Sequence, residues 1–146
     1  MVLDMGSSST KLDILEVDQG VIEVWTHSQL KNIGGDTFTN RLVDFFNLGD
    51  VKGIDSNELF NMMEKVKREL SVKNEAEWML DDDKHGIFSR ALFEGLCDDL
   101  VKTVKEGIEE TLREIEGEDF TRSEIKEVIL VGGSSRLPMI QNLVRE

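Results

Sequence analysis

Cysteine and proline occur once each in this chain and histidine twice. A lone thiol, Cys97, cannot build a disulfide framework within one chain. His27 and His85 stand far apart without cysteine partners, which argues against a zinc site. No apolar run approaches the length needed to span a bilayer. Asp4 interrupts the opening apolar stretch, so the first residues do not read as a secretory signal. Positive charge is also scarce: 17 Lys and Arg face 30 Asp and Glu, a net charge of −13. A surface this acidic repels phosphate backbones and argues against general nucleic-acid binding. No internal repeat or low-complexity segment is present.

With 146 residues the chain can build one real hydrophobic core or two small lobes. Its 39% hydrophobic and 32% charged residues make an ordinary soluble composition. Val2-Leu3-Asp4 reads as a short buried strand. Lys11 to Val17 reads as a second strand, with Leu12, Ile14 and Glu16 on one face. Asp18-Gln19-Gly20 turns it back into Val21 to Trp25, making a hairpin. Phe38, Leu42, Phe45 and Phe46 recur at helical spacing, and Leu48-Gly49-Asp50 with Lys52-Gly53 breaks that helix. Ser56 is the expected cap of a helix striped by Leu59, Met62, Met63, Val66 and Leu70. Glu75 to Phe88 suits two short strands around Asp81-Asp82-Asp83-Lys84, with Trp78 in the core or on the sheet face.

Ser89 is expected to open the longest helix, running to about Ile115 with an apolar stripe from Phe93 through Leu96, Leu100, Val104, Ile108 and Leu112. Cys97 lies near that stripe and reads as a buried, inert thiol. Thr121-Arg122-Ser123-Glu124 has the capping-box pattern. Val128 to Val131 is a continuous apolar strand, the kind found in sheets covered on both faces. Pro138 suits the first turn of a closing helix.

Two turns and one helix carry candidate chemistry. The Gly6-Ser7-Ser8-Ser9 loop leaves backbone amides open to an anion, as phosphate loops do. Gly132-Gly133-Ser134-Ser135-Arg136 ends a strand without side chains in the way, then offers the free N–H groups of a helix start. Arg136 is able to stack on an aromatic base. From spacing alone the plainer reading, a tight strand–helix turn, is favoured. Glu64, Lys67 and Arg68 share one helix face, with Ser71 a turn further on. They suit ribose hydroxyls and ring nitrogens, but from spacing alone an ordinary solvated face with ion pairs is clearly the favoured reading. The two glycine-rich turns lie near opposite ends of the chain, where they are able to converge on one ligand.

Five stretches together resemble the nucleotide-binding domain of the seventy-kilodalton heat-shock chaperones, the DnaK-like members of the actin superfamily. They are VLDMGSSSTKLDIL, IGGDTFTNRLVDFF, MEKVKRELS, FSRALFEGLCDDL and IKEVILVGGSSRLPMIQNLV, in family order and covering most of the chain. The resemblance implies an α/β fold: the core of the second lobe of an actin-like (ribonuclease H-like) ATPase, with a small inserted α+β subdomain. The core would comprise residues 1–37 and 89–146 and the insert residues 38–88. It implies that the chain is an excised lobe of a larger protein, lacking the first lobe's phosphate turn, lysine and glutamate, so that no catalytic residue and no protein metal ligand is expected here.

The same resemblance implies phosphate contacts from Asp4, Gly6, Ser7, Ser8, Ser9, Lys11, Gly34 and Gly35. It implies adenosine contacts from Glu64, Lys67, Arg68, Ser71, Gly132, Gly133, Ser134 and Arg136, with Arg68 and Arg136 sandwiching the adenine. The expected ligand is ATP or ADP, with Mg2+ in the intact parent. Expected partners are the parent's first lobe and co-chaperones or nucleotide-exchange partners, with no nucleic acid and no membrane.

The family's phosphate turn usually reads Asp-Leu-Gly-Gly-Gly-Thr-Phe-Asp. Here it reads Asp4-Met5-Gly6-Ser7-Ser8-Ser9-Thr10-Lys11, so a cation replaces the second carboxylate. That wording is closer to the large divergent branch, especially the glucose-regulated chaperones of the endoplasmic reticulum, whereas Gly-Gly-Asp-Thr-Phe-Thr-Asn-Arg-Leu is close to ordinary members. The implied location is intracellular, in the endoplasmic reticulum lumen or the cytoplasm. Lys11 also keeps a rival open, a partner-binding lobe of an exchange-factor-like member that binds ATP but hardly hydrolyses it.

Overall fold

A computed structural model describes residues 1–47, 49, 54–117 and 120–145. The break expected over Leu48-Gly49-Asp50 and Lys52-Gly53 lies, Gly49 apart, outside the described residues. The first strand, β1 (Val2–Met5), turns Leu3 and Met5 into the core and leaves Val2 and Asp4 half-buried on the other face. It pairs antiparallel with β2 (Ser9–Asp18), Leu3 opposite Leu12 and Met5 opposite Thr10. β2 continues through a hairpin into β3 (Val21–Lys31).

The hairpin is longer than its apolar pattern suggests. Beyond Trp25 the half-buried positions of β3 are Thr26, Ser28 and Leu30, and two of these are polar. Ser28 meets Thr111 hydroxyl to hydroxyl at 2.6 Å, so a hydrogen bond stands where an apolar residue would signal a strand. The register shifts between Ile14 and Leu15. This irregularity resets the alternation. Glu16 therefore does not follow Leu12 and Ile14 inward; it is exposed and accepts from Trp25 Nε1 at 3.0 Å.

Helix α1 (Gly35–Asn47) buries Phe38, Leu42 and Phe46, while Phe45 remains 37% exposed. Helix α2 (Ser56–Leu70) buries Leu59, Met63, Val66 and Leu70. Asp55, not Ser56, is its cap: the extended Asp55 backbone lets Oδ1 accept from the Asn57 and Glu58 amides at 2.9 and 3.2 Å. A carboxylate there also answers the positive end of the helix, which a serine hydroxyl does less well. β4 (Glu75–Asp81) and β5 (Lys84–Ser89) form the expected hairpin, and Trp78 packs edge-on against Phe46 with ring centroids 4.8 Å apart.

The long helix is two helices. Ser89 caps α3 (Arg90–Leu96), accepting from the Leu92 amide, and α4 (Asp98–Ile115) begins after Cys97. Cys97 has left the helical basin (φ −109°, ψ 5°), and its N–H bonds to Glu94 in a tight turn. Gly95 weakens the helix just before the break, and Asp98 and Asp99 suit a fresh N-terminus just after it. The buried stripe runs across the junction through Phe93, Cys97, Leu100 and Val104, with Cys97 rather than Leu96 at its centre.

The capping-box segment folds as a single 3-10 turn, Arg122–Glu124, with the Glu124 carboxylate accepting from the Thr121 amide. β6 (Ile129–Val131) then pairs parallel with β1, completing a four-stranded sheet in the order β3-β2-β1-β6. β6 is not covered on both faces: Ile129 is 52% and Val131 44% exposed. It is an edge strand, and the face that carries these residues also carries Lys11 in the open. A further 3-10 turn (Gly133–Arg136) leads into α5 (Pro138–Leu143), with Pro138 in its first turn.

One apolar cluster joins the sheet's inner face to α1, α2, α3, α4 and α5, and a smaller one gathers Ile14, Leu112 and Phe120. Replacing Phe38 by Ala should cost about 3–5 kcal/mol in urea unfolding, as for a fully buried aromatic, and Phe45→Ala much less. Burial pushes the Cys97 thiol up to about 12, a rise that the nearby Arg41 charge only partly offsets. A thiol reagent should therefore modify Cys97 only at the rate of unfolding; rapid modification of the native chain would contradict its burial.

Candidate functional site

The parallel pairing of β1 with β6 points both strands' C-terminal ends the same way, with Asp4 beside Val131. Each strand runs directly into one of the two glycine-rich turns. Ser134 Oγ donates to the Gly6 carbonyl at 3.2 Å, so the turns touch across the sheet edge. Gly132 has φ +85°, and a Cβ there would run into the Met5 carbonyl. No other residue suits that position.

The Gly34-Gly35 pair closes on the same point. The Gly35 amide donates to the Gly6 carbonyl at 2.9 Å and the Asp36 amide to the Ser7 carbonyl at 2.7 Å. The first turn of α1 is thereby pinned to the loop after β1. Thr10 supports it from below, its buried hydroxyl donating to the Ile33 carbonyl at 2.7 Å. At Gly35 a Cβ would collide with Ser134 Oγ, so the glycine sets how closely the turn and the helix approach.

These elements and α2 enclose a cleft of about 660 Å3. Gly6 and Ser7 come from the first turn and Gly35 from α1. Glu64, Lys67, Arg68 and Ser71 come from α2 and its end, and Gly133, Ser134 and Arg136 from the last turn. Asp36, Val72, Leu137 and Gln141 also line it. The sequence reading missed these four. Asp36 had a signal, its place beside Gly34-Gly35, whereas Val72, Leu137 and Gln141 carry no chemistry that distinguishes them from packing residues.

The other expected residues stand back from the cleft wall. Gly34 packs against the Ser7 backbone and Gly132 against Met5. Ser8 is exposed, and Ser9 opens β2. Asp4 and Lys11 face each other across β1 and β2 on the sheet's outer face.

Polar contacts organise the α2 wall. Lys67 is buried, and its Nζ lies 2.6 Å from Glu64 Oε2. Thr39 Oγ1 reaches the same carboxylate oxygen at 2.6 Å, and Arg68 Nε reaches Oε1 at 3.0 Å. Burial alone would raise the Glu64 carboxyl, but the hydrogen bonds from Lys67, Thr39 and Arg68 and the Lys67 charge together hold it below the ordinary glutamate value. Arg136 is exposed on the last turn. The wall thus offers cations, a fixed carboxylate and hydroxyls within a chain of net charge −13.

The mixed α/β architecture is that of an actin-like ATPase. The whole chain, residues 1–146, matches the family model described as Hsp70 protein. It is 36% identical over 165 aligned positions to the stromal 70 kDa heat shock-related protein, chloroplastic, of Pisum sativum, covering 100% of this chain and 23% of that protein. It is 37% identical over 164 positions to heat shock 70 kDa protein 6, chloroplastic, of Arabidopsis thaliana, covering 100% and 22%. It is 33% identical over 164 positions to the chaperone protein dnaK of Cyanidioschyzon merolae, covering 100% and 26%. The chain belongs to the Hsp70 family, and it spans about a quarter of the length of these relatives. Their names are plastid and DnaK names, and they lend nothing to the endoplasmic-reticulum expectation. No helix among the described residues is long and apolar enough to cross a membrane.

A lowered carboxylate has a defined pH signature. The stability that Glu64 contributes is fully present above the ordinary glutamate range and is lost as pH falls through its lowered native value. In urea unfolding, the parent should exceed Glu64→Gln in stability at neutral pH, and the gap should close on acidification. A gap that widens in acid would contradict the assignment.

Proposed function

We propose that the cleft holds the adenosine and part of the phosphates of ATP or ADP, as the second lobe of an Hsp70-type chaperone ATPase. The observation that carries this reading is the convergence of both glycine-rich turns and the polar face of α2 on one cleft of about 660 Å3. That volume suits a nucleotide-sized ligand. Arg68 and Arg136 both line it, available to stack on a base, while Gly6, Ser7 and Gly35 line the part suited to phosphates. In this reading residues 1–37 and 89–146 form the lobe's core and residues 38–88 an inserted part whose α2 supplies the adenosine contacts.

Among the described residues no group of three or more His, Cys, Asp and Glu gathers at one point. Magnesium is commonly held by nucleotide phosphates, waters and one or two carboxylates, and Asp36 in the cleft wall is a carboxylate able to serve that way. The ion would neutralise phosphate charge. The chain's own part is to bind and orient the nucleotide, with the first lobe of the parent completing the phosphate clamp.

A second reading, a lobe that mainly grips a protein partner, is favoured by one observation. The far end of the β2–β3 hairpin exposes Val17, Val21, Ile22 and Val24, an apolar group outside the cleft. Co-chaperones or exchange partners would be its occupants.

Calorimetry of this chain with ADP separates the readings. Weak, saturable binding is expected, and Arg136→Ala should reduce it by roughly 0.5–2 kcal/mol, the range for a cation stacked on a ring. An unchanged affinity in Arg136→Ala would remove the stacking role, and no binding by the parent chain would remove the nucleotide reading.

A further inference from the structure

Ser71 and Val72 form the end of the α2 wall, just past the last turn of the helix. Val72 is 79% exposed, so packing does not hold it. The chain on either side of the pair is held instead. Arg90 donates from Nε to the Leu70 carbonyl and from Nη2 to the Lys73 carbonyl, each at 2.7 Å. Its backbone amide donates to the Asn74 carbonyl, also at 2.7 Å. Ser71 and Val72 lie between the two carbonyls that the guanidinium grips.

Arg90 itself does not line the cleft. Its place on its own helix is electrostatically unfavourable. It opens α3, where the positive end of a helix prefers a carboxylate, and no acidic residue stands in that first turn. The side chain turns back to the other helix. At the C-terminal end of α2 the last carbonyls lack helical partners and the dipole favours a cation. A planar guanidinium spans two such carbonyls in a fixed geometry, which a lysine ammonium on its flexible stem does not.

We infer that Arg90 is a positioning residue for the adenosine end of the cleft: by holding the Leu70 and Lys73 carbonyls it sets where Ser71 and Val72 stand in the wall. Only the end of the wall depends on it. Glu64, Lys67 and Arg68 lie within the helix, whereas Ser71 is its C-cap and Val72 lies beyond. The phosphate-suited loops are held separately, by the bond from the Gly35 amide to the Gly6 carbonyl. The inference rests on the nucleotide reading for its ligand arm alone.

Backbone amide exchange tests it without a ligand. The Ser71 amide is bonded to the Lys67 and Arg68 carbonyls, and the Val72 and Lys73 amides to the Glu69 carbonyl. In Arg90→Met these three should exchange about tenfold faster, the effect of losing one charged hydrogen bond, while the amides of Phe38, Leu42 and Val104 keep their rates. Unchanged rates at Ser71, Val72 and Lys73 overturn the inference. So does an equal acceleration everywhere, which is a plain loss of stability. Should Arg90→Met fail to fold, Arg90→Lys serves. It keeps the charge and loses the fork, and it should show the same local pattern more weakly; exchange identical to the parent overturns the two-carbonyl grip.

Calorimetry with ADP and with inorganic pyrophosphate supplies the ligand arm. Arg90→Met should weaken ADP by roughly fivefold and leave pyrophosphate within about twofold of the parent, because the phosphate-suited loops do not depend on Arg90. An equal loss on both probes, or none on ADP, overturns the positioning role. A parent chain that binds neither probe removes the nucleotide reading, and the exchange pattern then decides by itself whether Arg90 fixes Ser71 and Val72.

Discussion

The site depends on a strand pairing between residues far apart in sequence. Val2, Leu3 and Asp4 lie parallel to Ile129, Leu130 and Val131, and the link extends to its start, where the Ile129 amide donates to the Met1 carbonyl at 2.9 Å. Parallel pairing has one geometric consequence: the chain leaves both strands at the same end of the sheet. That is why the turn after Met5 and the turn after Val131 touch, and why Gly132 must be a glycine at their junction. Loop closure over such a separation is entropically costly, and burial of Leu3, Met5 and Leu12 beneath the pairing offsets it.

A second constraint is local and polar. The contacts among Lys67, Glu64, Thr39 and Gly35 stand between α1 and α2, beside the apolar contacts of Phe38, Leu42, Met63 and Val66. A buried charge is tolerated only when fully partnered. Among the described residues no buried side-chain polar atom lacks a partner, so this condition is met. The strongly acidic surface has no special standing in the cleft, where Lys67, Arg68 and Arg136 set the local field against Glu64 and Asp36.

Much of this was legible in the sequence because it is local. The stripes of α1 and α2, the two hairpins and the Pro138 helix follow from periodicity and turn residues within short windows. Features that depend on a distant partner were not. The hairpin's full length is masked by Thr26 and Ser28, polar residues at half-buried positions of β3, of which Ser28 is met by Thr111. The exposure of Ile129 and Val131 belongs to a sheet face that also leaves Lys11 of the inner strand β2 in the open, and an apolar run does not reveal which face is covered. Asp55 outcompetes Ser56 through a backbone geometry that spacing does not reveal. In the site, the family resemblance pointed to residues that do share a cleft, from Gly6 to Arg136. It gave no sign of which donors are already spent within the protein. Lys67, for example, also bonds the Gly35 carbonyl, Thr39 and Glu64 within the protein.

The central claim is that two turns from opposite ends of the chain and one helix face make a single nucleotide site. The most direct test is an NMR titration of the chain with ADP, read at backbone amides. The account predicts concerted, saturable shifts at Gly6, Ser7, Gly35, Gly133 and Arg136 sharing one dissociation constant, with Gln19 and Gly20 at the hairpin turn unmoved. Shifts confined to one of the two turns, or centred on a different surface such as that around Trp78, would contradict it.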